Sequence, residues 1–141
     1  MINVGTRTIE TKRLILRKLE ISDLEQVYNN WCSDPKVSKY VTWDMHKNIE
    51  QTKEYINFKL GLYEKDYRFD WVVVIKETNE VIGEIDAVKQ SLNYNLVELG
   101  YCYGSKYWNN GYATEALSAV IKYLKEVALV EKVTACHIST N

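Results

Sequence analysis

The sequence predicts an α/β (α+β) fold built around a mixed, mostly antiparallel sheet. Hydrophobic spacing changes along the chain between the period of a strand and that of a helix, in the order β, α, α, β, β, β, α, β. The three middle strands follow each other through short turns, as in an antiparallel meander. The last three segments form a strand, helix, strand crossover, which predicts one parallel pair of strands.

Length, composition and charge describe one folded domain, residues 1–141. A chain of 141 residues can bury roughly two thirds of the surface that it exposes when unfolded. The 18 basic and 19 acidic residues nearly cancel, so there is no overall positive field to attract nucleic acid or an anionic membrane. The sequence has no signal-peptide pattern and no stretch apolar enough to span a membrane. We therefore expect a cytoplasmic protein without nucleic-acid or membrane partners.

The first half of the chain is predicted to form one strand and two helices. Residues 13–19 alternate apolar and charged side chains, as a half-buried strand does. Ser22 and Glu25 form a capping-box pattern for the first helix, which is expected to end before Pro35. Asn48 is a suitable N-cap for the second helix. The predicted apolar faces are Leu24, Val27, Tyr28 and Trp31 in the first helix and Ile49, Ile56, Leu60 and Tyr63 in the second.

The second half is predicted to form four strands and one helix. Strands at 71–76, 81–89 and 96–104 are separated by short polar turns. The last strand, at 132–139, is expected to lie parallel to the third of these because a helix connects them. That helix follows Gly111, and its predicted core face is Ala113, Ala116, Leu117, Val120, Ile121, Leu124 and Ala128.

The turn at Asn109, Asn110 and Gly111 is a candidate anion site at the start of this helix. The first four amides of a helix lack partners within the helix and lie at the positive end of its dipole. Gly111 lets a ligand approach the backbone, and Asn tolerates left-handed backbone angles. Structural connections from strand to helix also favour Asn and Gly, so the turn alone leaves both roles open. The Walker A and dinucleotide-binding patterns are absent.

Cysteine and histidine chemistry is not expected to carry the function. Cys32, Cys102 and Cys136 are odd in number and lie in apolar sequence, which favours buried free thiols over a disulfide or a metal site. His46 and His137 have no Cys, His or carboxylate at ligand spacing, so we expect no metal cofactor.

Residues 98–117, ELGYCYGSKYWNNGYATEAL, resemble the acetyl-CoA motif of the GNAT N-acetyltransferase superfamily. The similarity is greatest to the branch that acetylates the amino termini of ribosomal proteins, whose pattern is E-I-G-Y, a spacer, then W-G-x-G-Y-A-T-E-A. Residues 11–41 also resemble the opening T-x-R-L-x-L-R strand and first helix of that branch. The resemblance implies a GNAT-like acyl-CoA N-acyltransferase fold with helices on both faces of the sheet. The matching positions are Trp108, Gly111, Tyr112, Ala113, Thr114, Glu115 and Ala116.

The resemblance implies acetyl-CoA as co-substrate. Backbone amides from Asn109 to Thr114 would hold the pyrophosphate, and the strand around Cys102 and Tyr103 would pair with the pantetheine arm. Asn109 stands where the branch has glycine. Asparagine adopts left-handed backbone angles at little cost, so we expect the turn to keep its conformation. The full set of implied cofactor-binding residues is Cys102, Tyr103, Trp108, Asn109, Asn110, Gly111, Tyr112, Ala113, Thr114 and Asn141.

The resemblance also implies direct acetyl transfer to a primary amine in a ternary complex, which needs a base to deprotonate the ammonium. Glu98 is the first candidate for this catalytic base, and Glu84 and Asp86 are weaker ones; a purely structural role for Glu98 is equally compatible with its strand position. Glu115 is expected to favour the helix dipole. Cys102 is expected to be a buried thiol and not a nucleophile.

The acceptor is expected to be a protein N-terminal amine. The alternatives are a polyamine or another small amine, favoured by an acidic groove near residues 40–44, and a catalytically silent coenzyme A binding module. Residues 36–47 have no clear period and are predicted to be a loop that contacts substrate or simply connects helices. Three aromatic residues are candidates for lining the acceptor groove, with core or surface roles as the alternative: Tyr40, Trp43 and Tyr94.

The resemblance implies that the usual C-terminal helix and strands, which commonly supply the general acid, would follow Asn141. Without them, the strand at 132–139 would be an unpaired edge. Two interpretations are open: a shortened chain, or a homodimer in which a second copy completes the sheet. In either case we expect coenzyme A binding to survive and catalysis to be weakened or lost.

Overall fold

The described part of the chain contains one mixed sheet of six strands, in the order β1-β2-β3-β4-β5-β6. The structure is a computed structural model, and it describes residues 1–41, 43–64 and 68–135. The strands are β1 (Ile9–Glu10), β2 (Leu14–Arg17), β3 (Asp70–Ile75), β4 (Val81–Ser91), β5 (Leu96–Tyr103) and β6 (Lys132–Ala135). All neighbouring pairs are antiparallel except β5 and β6, which are parallel. The predicted mixed, mostly antiparallel sheet is confirmed.

The helices within the same residues are α1 (Leu24–Val27), α2 (Pro35–Ser38), α3 (Ile49–Leu62) and α4 (Tyr112–Glu126). A 3-10 turn, Ile21–Asp23, precedes α1, and a π-helical segment, Tyr28–Cys32, continues it. A second 3-10 turn, Ser105–Tyr107, follows β5. The short strand β1 and the π-helical segment were not predicted. The end of the predicted strand at 132–139, with Cys136, His137 and Asn141, lies outside the described residues.

The predicted capping box of the first helix is wrong in position. The helix begins after Glu20, and the carboxylate of Asp23 accepts a hydrogen bond from the Glu20 backbone N–H at 2.9 Å. Arg17, at the end of β2, donates to both oxygens of Asp23 at 2.9 and 2.8 Å. Arg17 holds the carboxylate of Asp23 in place. The capping box is therefore formed by Glu20 and Asp23, before the predicted pair Ser22 and Glu25.

The loop predicted at residues 36–47 begins as a helix instead. The Asp34 side chain accepts a hydrogen bond from the Lys36 backbone N–H at 2.9 Å, and Pro35 occupies the first helical position. Proline is favoured at that position because its missing N–H would have no helical partner there.

The sheet is covered by helices on both faces, as expected. Alternate residues of β3 point to opposite sides: Trp71 and Val73 belong to the α4 cluster, the core between the sheet and α4, while Val72 and Val74 belong to the α3 cluster on the other face. The α3 cluster also contains side chains from α1, the π-helical segment and α2. The cleft described below lies at the end of β5, which contributes residues to both clusters.

Candidate functional site

A cleft of about 350 Å³ lies between the end of β5, the start of α4 and the segment that contains α2. Val37, Tyr40 and Val41 form the wall on the α2 side. Eight of the residues implied as cofactor-binding line the opposite wall and the end: Cys102, Tyr103, Trp108, Asn109, Gly111, Tyr112, Ala113 and Thr114. Asn110 belongs to the same turn without lining the cleft, and Asn141 lies outside the described residues.

The turn before α4 has left-handed backbone at two positions. Asn109 has φ of 64° and Gly111, the residue that precedes the first turn of α4, has φ of 79°. Between them, the Asn110 side-chain amide donates to the carbonyl oxygens of Tyr107 at 3.2 Å and Trp108 at 3.0 Å. No side chain among the described residues caps the amides of α4, so the start of the helix is open for an anion.

Glu115 and Arg13 join this turn to the first strands of the sheet. Arg13 donates to Glu115 from Nε at 2.7 Å and from its backbone N–H at 2.9 Å, and Thr11 Oγ1 donates to Glu115 at 2.6 Å. Partial burial raises the pKa of Glu115, but these hydrogen bonds outweigh it and leave the pKa lowered. Glu115 therefore anchors α4 to residues 11–13 in addition to its favourable place near the helix dipole.

The α2 side of the cleft is fastened to the end of β5. Asp34 accepts hydrogen bonds from the backbone N–H of Ser105 at 3.0 Å and from its hydroxyl at 2.5 Å. Partial burial raises the pKa of Asp34, and its hydrogen bonds, first those from Ser105, bring it below the ordinary value. Across the cleft, the rings of Tyr40 and Trp108 meet edge to face with centroids 5.8 Å apart. Both walls are thus held relative to one strand end.

The β5 residues at the cleft have buried polar groups. Burial raises the pKa of the Cys102 thiol, so it carries little thiolate and is a poor nucleophile. Tyr103 is 7% exposed, and its hydroxyl has no hydrogen-bond partner among the described residues.

Glu98, the predicted base, is half-buried on β5 and does not line the cleft. Strand alternation places Glu98, Gly100 and Cys102 on one face of the sheet, with Glu98 roughly 13 Å along the strand from Cys102. Asp86 on β4 lies directly opposite Gly100, and Glu84 lies opposite Cys102. Gly100 has no side chain, and Val88 of β4 packs over it, with Cγ1 2.7 Å from the point where a Cβ would be.

A buried ionic cluster, which the sequence did not predict, lies on this face. Lys59 of α3 reaches Asp70 at 2.8 Å, Glu84 at 3.1 Å and Asp86 at 3.8 Å. The Tyr55 hydroxyl donates to the other oxygen of Glu84 at 2.5 Å. A sequence signal existed, because Lys59 lies one helical turn after Ile56 on the apolar stripe of α3.

Burial controls the protonation of this cluster. Burial raises the pKa of Asp70 to about 7, because the attraction of Lys59 only partly offsets the loss of solvation and Glu84 adds repulsion. The same causes raise the pKa of Asp86. Burial lowers the pKa of Lys59, but the surrounding carboxylates outweigh it and raise that pKa well above its ordinary value, so Lys59 stays charged.

Other predicted candidates lie elsewhere. His46 shares a hydrogen bond of 2.7 Å with Thr52, and Tyr94 is 80% exposed on the turn between β4 and β5. Trp43 packs partly buried against the α3 cluster. Within the described ranges, no group of three or more His, Cys, Asp and Glu side chains is arranged to hold a metal ion. No helix in those ranges is long and apolar enough to cross a membrane.

Comparison with known sequences identifies relatives of this chain. Residues 13–141 match the family described as "Acetyltransferase (GNAT) domain". An "Uncharacterized N-acetyltransferase p20" of Bacillus licheniformis is 34% identical over 118 residues, covering 82% of this chain and 65% of the relative. This chain therefore spans less than two thirds of the length of that curated relative.

Solved structures share the fold. "The crystal structure of the acetyltransferase (GNAT family) from Bacillus anthracis" aligns with a TM-score of 0.78 and 29% identity, covering 92% of this chain and 72% of that one. A structure of the ribosomal L7/L12 alpha-N-protein acetyltransferase RimL in complex with coenzyme A aligns with a TM-score of 0.82, covering 96% of this chain and 77% of that one. At 14% identity, the second likeness shows the fold alone.

Proposed function

This chain belongs to the GNAT acetyltransferase family, and we propose that it is an acetyl-CoA-dependent N-acetyltransferase acting on a primary amine. The observation that carries the proposal is the cleft at the end of β5, which ends at the uncapped amides of α4. The GNAT-like fold predicted from the motifs is confirmed by the solved relatives.

The cleft fits the two chemical parts of acetyl-CoA. A diphosphate requires backbone N–H donors and the positive end of a helix, which the turn from Asn109 to Thr114 offers. A pantetheine arm requires partners for its amides, and we assign that role to the end of β5, which forms part of the cleft wall. A related fold has been solved with coenzyme A, which supports the same ligand here.

In the proposed reaction, the amine nitrogen attacks the thioester carbonyl carbon. The new C–N bond forms as the C–S bond breaks, the thiolate takes up a proton, and the ammonium of the acceptor has first lost one. The residues of this chain bind the thioester along β5 and remove the ammonium proton. Cys102 serves as cleft wall, because its protonated thiol is not suited to covalent catalysis.

Glu98 is the proposed base, acting through ordered water because of its distance along β5 from the cleft. Asp86 is the second candidate, since it lies opposite Gly100 of β5 and burial raises its pKa toward the range useful for proton transfer. Glu84 is less suited, because Tyr55 and Lys59 already occupy its two oxygens.

We propose a protein N-terminal amine as the acceptor, supported by fold relatives titled ribosomal-protein acetyltransferases. A small polyamine is the alternative. The carboxyl groups of Asp70, Glu84 and Asp86 already surround Lys59 and offer a polyamine little free charge. Residues 40–44 contain a single acidic residue, Asp44, which is little charge for a groove that selects polyamines. The general acid stays unassigned among the described residues.

The test is to titrate acetyl-CoA into the chain and into Gly111→Asp, and to follow thiol release with peptide and polyamine acceptors. A carboxylate at the turn repels the diphosphate, so Gly111→Asp should bind at least about tenfold more weakly. Equal binding by both proteins would contradict the cofactor site. Binding without thiol release from any acceptor would instead favour a silent coenzyme A module.

The base is tested in the same assay. Glu98→Gln should lower turnover and remove the acidic limb of its pH profile if Glu98 takes the proton, with Asp86→Asn as the matched variant. If only Asp86→Asn lowers turnover, the base is Asp86 on β4 and not Glu98.

A further inference from the structure

We propose that Arg13 is the positioning residue for the diphosphate of acetyl-CoA, holding the turn before α4 in its binding geometry. This inference rests on the proposed function. Arg13 belongs to the short connection between β1 and β2, and it precedes Asn110 of the turn by 97 residues along the chain.

Arg13 contacts three successive positions of the turn. Its Nη1 donates to the carbonyl oxygen of Asn110 at 3.0 Å, and its guanidinium carbon lies 4.5 Å from the ring centroid of Tyr112. Its Nη2 lies 3.3 Å from the point where a Cβ on Gly111 would be. One planar guanidinium therefore fixes the orientation of the peptide before Gly111, packs against Gly111 and covers Tyr112.

The missing side chain of Gly111 also leaves room for the guanidinium of Arg13. Among the described residues beyond its chain neighbours, the only heavy atom within 4 Å of its ideal Cβ position is Nη2 of Arg13. The left-handed φ already favours glycine, and the missing side chain also admits the guanidinium. Gly111 is thus a joint between the turn and Arg13 as well as an open approach to the backbone.

The same arginine holds the first turn of α4 through Glu115. Nε and the backbone N–H of Arg13 bond to separate oxygens of Glu115, and Thr11 adds a third bond. The T-x-R stretch at residues 11–13 and the A-T-E-A stretch at residues 113–116 therefore meet in space.

The affinity for the diphosphate should depend on the contacts that Arg13 makes with the turn. If the N–H groups of the turn already point toward the phosphate oxygens, binding loses less conformational entropy. The affinity for the pantetheine arm should not depend on Arg13, because the backbone groups of β5 are positioned without it. The side chain of Arg13 is 42% exposed, so its replacement does not open a cavity in the core. A lysine would keep the charge but cannot bond Glu115 and Asn110 with one planar group.

The experiment measures binding of three ligands: acetyl-CoA, acetyl-dephospho-CoA, which keeps the diphosphate, and acetyl-pantetheine, which lacks it. Calorimetry serves the first two and ligand-observed NMR the third. For Arg13→Ala, we expect about tenfold weaker binding of both diphosphate ligands and a change of less than about twofold for acetyl-pantetheine. Arg13→Lys should recover only part of the loss. Lys12→Ala, an equal charge change at the exposed neighbouring residue, should leave all three affinities unchanged.

Four results would overturn the proposal. Unchanged binding by Arg13→Ala would show that Arg13 has no role in cofactor binding. An equal loss of affinity for acetyl-pantetheine would show that Arg13 supports the whole fold and not the diphosphate site alone. A loss confined to acetyl-CoA would assign Arg13 to the 3′-phosphate, and full recovery in Arg13→Lys would show that charge alone suffices. If the unaltered chain binds none of the ligands, the proposed function fails, and this inference fails with it.

Discussion

At the scale of single residues, the buried Lys59 shows how a polar group shapes the fold near the site. Three carboxylates surround its ammonium within 3.8 Å, and Asp70 has a buried oxygen, Oδ1, without a hydrogen-bond partner among the described residues. Burial raises the pKa of Asp70 to about 7, because the attraction of Lys59 only partly offsets the lost solvation and the neighbouring carboxyl groups add repulsion.

This protonation predicts a pH dependence of stability. The folded pKa of Asp70, about 7, lies above its ordinary value of 3.8, so the folded state binds more protons between these values. The contribution of Asp70 is therefore fully present below about pH 4 and is lost as the pH rises to about 7. Relative to Asp70→Asn, the unaltered protein should lose unfolding free energy across this window. Urea unfolding at each pH measures it, and parallel curves for the two proteins would contradict the shift.

At the scale of elements, the π-helical segment Tyr28–Cys32 positions the α2 side of the cleft. Asn30 donates from its side chain to the Val81 carbonyl oxygen at 2.6 Å, and its own carbonyl oxygen packs against Gly104 at the end of β5. Gly104 has φ of −57°, so its backbone suits any residue and only space requires glycine.

Gly104→Ala should therefore destabilise the protein by at least about 2 kcal/mol, because the new Cβ overlaps the Asn30 carbonyl oxygen. Gly61→Ala is the matched control: no described atom beyond its own helix backbone lies within 4 Å of its Cβ position in α3, and alanine should stabilise the helix by about 0.5–1 kcal/mol. Chemical unfolding measures both. Similar behaviour of the two variants would contradict the close packing of the π-helical segment on β5.

At the scale of the whole molecule, the sheet separates the α4 cluster from the α3 cluster. The cleft lies at the end of β5, the strand that contributes residues to both clusters. Cys32 and Cys102 are buried in the α3 cluster, but only Cys102 also lines the cleft. Burial raises the pKa of both thiols, so reaction with maleimide requires an opening of the structure. The two thiols therefore report local and global opening separately.

Saturating acetyl-CoA should slow maleimide labelling of Cys102 more than that of Cys32. Ligand binding suppresses global unfolding for both thiols, and occupation of the cleft adds local protection for Cys102 alone. Peptide mass spectrometry measures the two rates in one sample, which makes Cys32 the internal control. Equal protection of both thiols would show that the cleft does not open independently of the core.

Information local to the chain was enough to predict most of the strands, α3, α4 and the turn that precedes α4. Period, turn residues and motif spacing depend on neighbours along the chain, which is why the order of strands, the helix after Gly111 and the turn at Asn109 were predictable. The resemblance to GNAT acetyltransferases implied Cys102, Tyr103 and Thr114 as cofactor-binding residues, and all three line the cleft.

Which distant side chains meet became visible only in the folded molecule. The shifted start of the first helix depends on Arg17, the charge state of Asp70 depends on Lys59 of another element, and the geometry of the turn depends on Arg13. These contacts join residues on different elements, and their energies depend on burial and orientation, which neither hydrophobic period nor motif spacing contains.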